Sequence, residues 1–351
     1  MVWLIDHLSN RVPLMKARHL ANTSWAFAKL KFATAPLRSS ISAAARANIS
    51  DFRPPELAST AWSYSAMRFA DVPFRAALAS AALPIISDFD PQGLSGTAWA
   101  MAQLGFSHQP LFDAISAASL ARCNQYCAQE ISNTAWAWAH LRCSNVPLSE
   151  ALASAARRPL SDFTTQNLSN TPWSLARLPF FHQPLLNALA ASALAKMPAL
   201  RAQDLCSTLW SCAQLELRNW PLLAAISEAA LTKIHLCGAQ GLANLAWSCA
   251  TLVVMPSPLL AAISSEAIPL LSQGGSISFK TQEQANTAWA FAKLLLFDSP
   301  LMSALAAASR AKITVAQLQD IASTAWAFAK LSICDEPLLN ATAEAAITRQ
   351  S

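Results

Sequence analysis

The chain has 351 residues, and at 54% apolar against 13% charged it holds enough hydrophobic material for a continuous core. Its 7 Gly and 2 Tyr, beside abundant Ala and Leu, tell against a strand-built fold and in favour of helices. A net charge of +5 permits an anionic partner without demanding one.

Residues 1–16 read as the remnant of a preceding repeat. Leu4, Leu8 and Val12 fall where a second helix carries its apolar positions. The chain is therefore expected to begin partway through a repeat and to be a piece of a longer protein. From there one unit recurs about nine times: 17–53, 54–90, 91–127, 128–164, 165–201, 202–238, 239–280, 281–317 and 318–351. Two landmarks set the beat. Trp25, Trp62, Trp99, Trp136, Trp173, Trp210 and Trp247 follow at intervals of 37 residues, Trp289 comes 42 later, and Trp326 returns to 37. Eleven residues after each lies a proline, from Pro36 and Pro73 to Pro300 and Pro337. A fixed period of this size marks a stacked-repeat architecture, so the predicted fold is an all-α solenoid of two-helix repeats.

Residues 91–127 serve as the working copy. Asp90 caps and Pro91 opens a first helix that the apolar spacing carries to about Phe106. Ser107–Gln109 form a turn, and Pro110 opens a second helix with Leu111, Ile115, Ala118 and Ala121 on one face. A short irregular stretch such as Ser50-Asp51-Phe52 or Ser161-Asp162-Phe163 closes each copy. The seventh copy holds a five-residue insertion around Ser272–Ser278, read as a longer inter-repeat loop through Gly274 and Gly275. Ile234–Ser265 carries no charged residue, yet its Pro256, Pro258 and Asn244 and its place in the repeat register identify core helix rather than a membrane span.

Little here points to chemistry. The eight cysteines lack zinc spacing; Cys212 and Cys249, two after their tryptophans, read as core thiols in a reduced compartment. His108 and His182 fall in corresponding inter-helix turns, and no nucleophile elbow, phosphate loop or HExxH helix occurs. A non-catalytic chain is expected, with no cofactor, no metal, no membrane and no small-molecule substrate.

A polar stripe is the informative surface. With Trp as position zero and about 100° per residue, positions −5, −2, +2 and +5 form the core face, while −7, −3, +1 and +4 gather elsewhere. Position −7 holds Gln92, Gln129, Gln166, Gln203, Gln240, Gln282 and Gln319. Position −3 includes Asn133, Asn170, Asn244 and Asn286, and position +4 includes Lys29, Gln103, His140, Arg177, Gln214, Lys293 and Lys330. No Asp or Glu occupies any of the four positions, though the chain has 20. Amides read base edges and cations hold phosphates, so these residues are the candidate RNA contacts. The tryptophans beside the stripe are expected to be buried between helices. Arg122, Lys196, Lys233, Lys312 and Arg349, at the ends of second helices, are expected to offset the helix dipole.

The strings at 88–94, 285–294 and 335–339 resemble the octotricopeptide repeat family, itself related to the helical repeats of FAST-kinase-like and RAP-domain proteins. The resemblance covers essentially the whole chain. It implies single-stranded RNA as the ligand, other RNA-processing proteins as partners, a mitochondrial or chloroplast location, and a role in transcript processing, stability or translation. A protein-binding helical scaffold is the alternative.

Overall fold

The structure, a computed structural model, describes residues 11–348 except 33, 70, 159 and 274–277. Among these residues there are eighteen α-helices, joined by short 3-10 turns, and no strand. The helices alternate as read from the sequence, and adjacent ones pack in succession, giving an α-solenoid of repeats. Two compact units are present: one runs to Asn167 and includes His182–Leu185, the other comprises Leu168–Phe181 and Leu186 onward. The predicted preceding helix at residues 1–10 and the glycine loop at 274 and 275 lie outside the described residues.

Local chemistry starts and stops most of the helices. Most first helices begin with a capping box: the side chain at position −6 accepts from the backbone N–H three residues earlier. Glu56 takes this bond from Arg53 at 3.0 Å, Glu130 from Cys127 at 2.7 Å, Asp204 from Arg201 at 3.1 Å and Glu283 from Lys280 at 2.8 Å. Repeat three inverts the device. There Asp90 accepts from the Gly93 N–H at 2.7 Å, and a Cβ on Gly93 would sit 2.9 Å from that same carboxylate.

The first helices end in a left-handed residue at position +6, with the next N–H bonded back five residues. Gly105 (φ 62°) is suited to this; Arg142 (φ 56°) and Glu216 (φ 51°) hold the same conformation with a side chain. Closing bonds such as Cys143 N–H to the Trp138 carbonyl (3.0 Å) and Phe106 N–H to Met101 (2.9 Å) satisfy carbonyls the helix leaves open. The helix of repeat three consequently spans Pro91–Gln103 and stops short of the expected Phe106, because Leu104–Phe106 make this cap. Second helices start three residues on. Asp71, Asn145, Asn219 and Asp298 accept from backbone N–H groups at 2.9–3.1 Å, and the proline two residues after each cap has no N–H to waste.

Packing joins these pairs. Leu20, Leu57, Leu94, Leu205 and Leu242 at −5 are fully buried, as are or nearly are Tyr64, Met101, Trp138 and Phe291 at +2. Each such side chain contributes roughly 1.5–3 kcal/mol relative to exposure. Neighbouring first helices lie side by side through position +1, where Ser63, Ala100, Ala137, Ser211 and Ser248 are buried. That corrects the stripe: +1 belongs to the helix–helix seam, since only Ala or Ser fits there. Ser63, Ser211 and Ser248 return their hydroxyls to the carbonyl four residues back at 2.6–2.7 Å, so no donor is stranded. Phe52, Phe89, Phe163 and Phe279 are fully buried at four of the inter-repeat turns, and Tyr126, Leu200, Cys237 and Ala316 are buried at the equivalent place in the others.

The cations at second-helix ends reach across repeats. Lys233 Nζ donates to the Leu200 carbonyl at 2.5 Å and Pro198 at 2.9 Å; Lys312 donates to Phe279 at 2.6 Å; Arg122 donates to Phe89 and Ser87. They staple one repeat to the turn before it. Arg349 lies outside the described residues.

Candidate nucleic-acid interface

The first helices position the stripe by simple angular arithmetic. Positions −7, −3 and +4 lie on the side of each helix turned away from the buried −5, −2 and +2 residues. Accordingly Gln92, Gln129, Gln166, Gln203, Gln240, Gln282 and Gln319 are all exposed. So are Lys29, Gln103, His140, Arg177, Gln214, Lys293 and Lys330 at +4. Asn133, Asn170, Asn244 and Asn286 are half-buried, since −3 borders the seam.

The tryptophans are not buried. Trp25 and Trp326 are 47% and 44% exposed, and the other seven of the series are half-buried. The cause was legible in the projection: the core positions average roughly opposite to position zero, so an indole there faces outward. Trp138, at +2, shows the contrast; it is 4% exposed and packs edge-on against Phe112 at 5.0 Å. The series therefore joins the stripe, and sequence reasoning missed it by treating aromatic size as a sufficient reason for burial.

In the first unit Trp99 and Trp136 lie with ring centres 6.1 Å apart, and His140 stacks on Trp136 at 4.5 Å with planes 22° apart. The Lys29 ammonium sits 5.6 Å from Trp25 and 5.0 Å from Trp62. In the second unit Trp173 and Trp210 are 6.4 Å apart, and Lys293 lies 4.6 Å from Trp289. The cations and the imidazole stand one turn beyond the ring, where i and i+4 side chains meet.

In the first unit these side chains line a groove of about 810 Å³. Its walls include Trp25, Lys29, Trp62, Gln92, Trp99, Gln129, Asn133 and Gln166. Two carboxylates also reach it, Asp90 and Glu130. The stripe is acid-free, but the groove is not. Both acids accept a backbone N–H at a helix start, where the dipole offsets negative charge. Some acids at −6 are shielded: Asp204 is buried and gripped by Arg201 at 2.9 and 3.0 Å, as Glu56 is by Arg53 at 3.2 and 2.6 Å. Burial alone would raise the Asp204 carboxyl, but the hydrogen bonds and charge of Arg201 hold it below the ordinary aspartate value.

Other residues singled out in the sequence have structural roles. His108 and His182 cap second helices, each Nδ1 accepting a backbone N–H at 3.2 Å. Cys212 and Cys249 are buried core thiols, pushed up to about 12 by burial. The described residues contain no group of three or more His, Cys, Asp or Glu side chains placed to share a metal, and no helix long and apolar enough to cross a membrane.

A model of the family described as RNA-editing substrate-binding complex 6 protein matches residues 3–146 and, in a second overlapping match, residues 110–220. No curated protein matches the chain.

Proposed function

Since the chain belongs to the family of the RNA-editing substrate-binding complex 6 protein, its matches together covering residues 3–220, we propose that it is a non-catalytic RNA-binding solenoid. It holds single-stranded RNA along the outward face of its first helices and serves RNA editing or processing, in line with the octotricopeptide resemblance. That resemblance also supplies the location, a mitochondrion or a chloroplast. One observation carries the reading: a surface of amides, cations and open indoles that recurs once per repeat and bears no carboxylate at positions −7, −3 and +4. Amides and cations are the groups that contact base edges and phosphates, and aromatic faces are what unpaired bases stack on.

The test is fluorescence anisotropy with matched single-stranded and duplex RNA across a salt series. Tighter binding of the single strand, with affinity falling as salt rises, is the expected result. A preference for duplex, or affinity indifferent to salt, refutes it.

A second reading, docking of protein partners, is favoured by one observation in the second unit. The turns after the first helices of repeats seven and eight expose Val253, Met255, Leu295 and Phe297 at 63%, 52%, 65% and 65%. The equivalent +6 turn positions in repeats one, two and four carry Lys31, Arg68 and Arg142. Protein processing partners would bind this edge while RNA occupies the stripe.

A further inference from the structure

Nine tryptophans recur at one helical position with part of the ring left open, although Trp247 and Trp289 also pack against the core. A tryptophan placed only for stability would be buried like Trp138, at 4%, whereas Trp25 and Trp326 leave nearly half of their surface in water. Nor does the +4 residue account for them: a lysine over the ring occurs at Trp25 and Trp289, an imidazole at Trp136, while Trp99 and Trp210 are followed by exposed Gln103 and Gln214.

Resting on the RNA reading of the same face, we infer that the tryptophan series is a stacking site for unpaired nucleobases, and that it supplies sequence-tolerant affinity while the amides beside it discriminate. Ring spacing supports this. Trp99 and Trp136 stand 6.1 Å apart and tilted by 38°, and Trp173 and Trp210 stand 6.4 Å apart and tilted by 34°. Rings at this spacing touch each other, so each pair forms a joint platform on which a base stacks from the open side, not a slot between the rings. Between Trp25 and Trp62 the gap is already filled by a cation: the Lys29 ammonium lies 5.6 and 5.0 Å from the two rings. A flat base can take that place over the indoles while the ammonium swings to the flanking phosphate. The division of labour follows from chemistry, since every base has a π-face but only some present the right edge to an amide.

The experiment uses the whole chain and two probes: an oligouridylate long enough to span the repeats of one unit, and the same ribose-phosphate backbone without bases. Anisotropy gives affinity, and quenching of indole fluorescence reports contact. The oligouridylate should quench, and the abasic strand should bind at least about fivefold more weakly at equal salt, the factor that one lost stack of about 1 kcal/mol implies. Trp99→Leu with Trp136→Leu should weaken the oligouridylate by at least about fivefold and leave the abasic strand unchanged, while the matching phenylalanine pair restores part of the loss. Equal binding of both probes by the parent protein overturns the stacking site and leaves the RNA reading standing. Failure of the parent to bind either probe overturns the RNA reading itself. Should the leucine pair fail to fold, the comparison of probes on the parent still decides.

Discussion

The Lys29 ammonium lies 5.0 Å from the centre of the Trp62 ring, in the repeat after its own, and 5.6 Å from its own Trp25. A cation is thus held over indole faces at the groove rather than extended into solvent. The attraction is about 0.5–1 kcal/mol at such partly open sites, weak enough for a phosphate to compete for the charge. The contact with the ring of the same repeat recurs at Lys293, 4.6 Å from the centre of Trp289, and it sets up the first expectation.

Changing Lys293 and Lys330 together to Glu should weaken single-stranded RNA binding by about 1–3 kcal/mol and flatten its salt dependence, since two phosphate-facing charges are reversed. Thermal melts should fall only slightly. Lys293 loses its contact with Trp289, about 0.5–1 kcal/mol, and Lys330 is exposed. Unchanged RNA affinity in a folded variant would remove the cations from the interface.

Gln240→Ala with Asn244→Ala should act differently. Both are uncharged, so overall affinity for a mixed-sequence pool should move little. The preferred sequence recovered by selection from random RNA should change, because amides pair with base edges. An identical consensus from parent and variant would show that these amides do not read sequence.

Lys233 offers a contrast at a second-helix end. Its ammonium donates to the Leu200 and Pro198 carbonyls, which would otherwise lose a charge-assisted bond. Lys233→Gln should lower stability by about 1–2 kcal/mol in denaturant melts and leave RNA affinity unaltered below the transition. A drop in affinity without a drop in stability would assign Lys233 to RNA instead.

The left-handed caps make opposite predictions for opposite substitutions. Arg142→Gly should stabilise by about 0.5–1 kcal/mol, because a side chain at φ 56° is strained and glycine is not. Gly105→Ala, at φ 62°, should destabilise by about 1 kcal/mol although a Cβ there would meet no neighbouring atom. Equilibrium unfolding of both variants measures the pair.

Acid should unfold the protein partly through Asp204. Its folded pKa is held below the ordinary value near 3.8, so the stability it supplies is complete above that unfolded value. That contribution is lost as pH falls through the lower folded value. Asp204→Asn should keep the helix cap, as Asn167 does when it accepts the Thr164 N–H at 3.0 Å. Its melting temperature should therefore decline less between pH 5 and pH 2 than the parent's, as an order-of-magnitude window. Parallel pH profiles would show that the Arg201 pair contributes nothing.

Much of this was legible in the residues alone. The 37-residue beat of Trp and Pro, the helix pairs, the exposed glutamines at −7 and the acid-free composition of the stripe all follow from local rules. Apolar periodicity chooses helix, proline and capping side chains choose the starts, and angular position chooses the face. Even the open indoles were implicit in that angular position, at Trp99 as much as at Trp25, once residue size is not allowed to override direction.

What only the tertiary structure decided are matters of distance between repeats. Ser63 and Ala100 are buried because adjacent first helices pack through that position, which no single helix reveals. Lys233 is a staple because the carbonyls of Pro198 and Leu200, 35 and 33 residues earlier, come within reach of its ammonium. Asp90 and Glu130 enter the groove of an otherwise acid-free stripe because helix starts from successive repeats border the same space. Helix formation and capping are settled within a few residues, so the sequence determines them by itself. Which ring pair stands 6 Å apart, and which charge finds a partner, is settled by the stacking of whole helices.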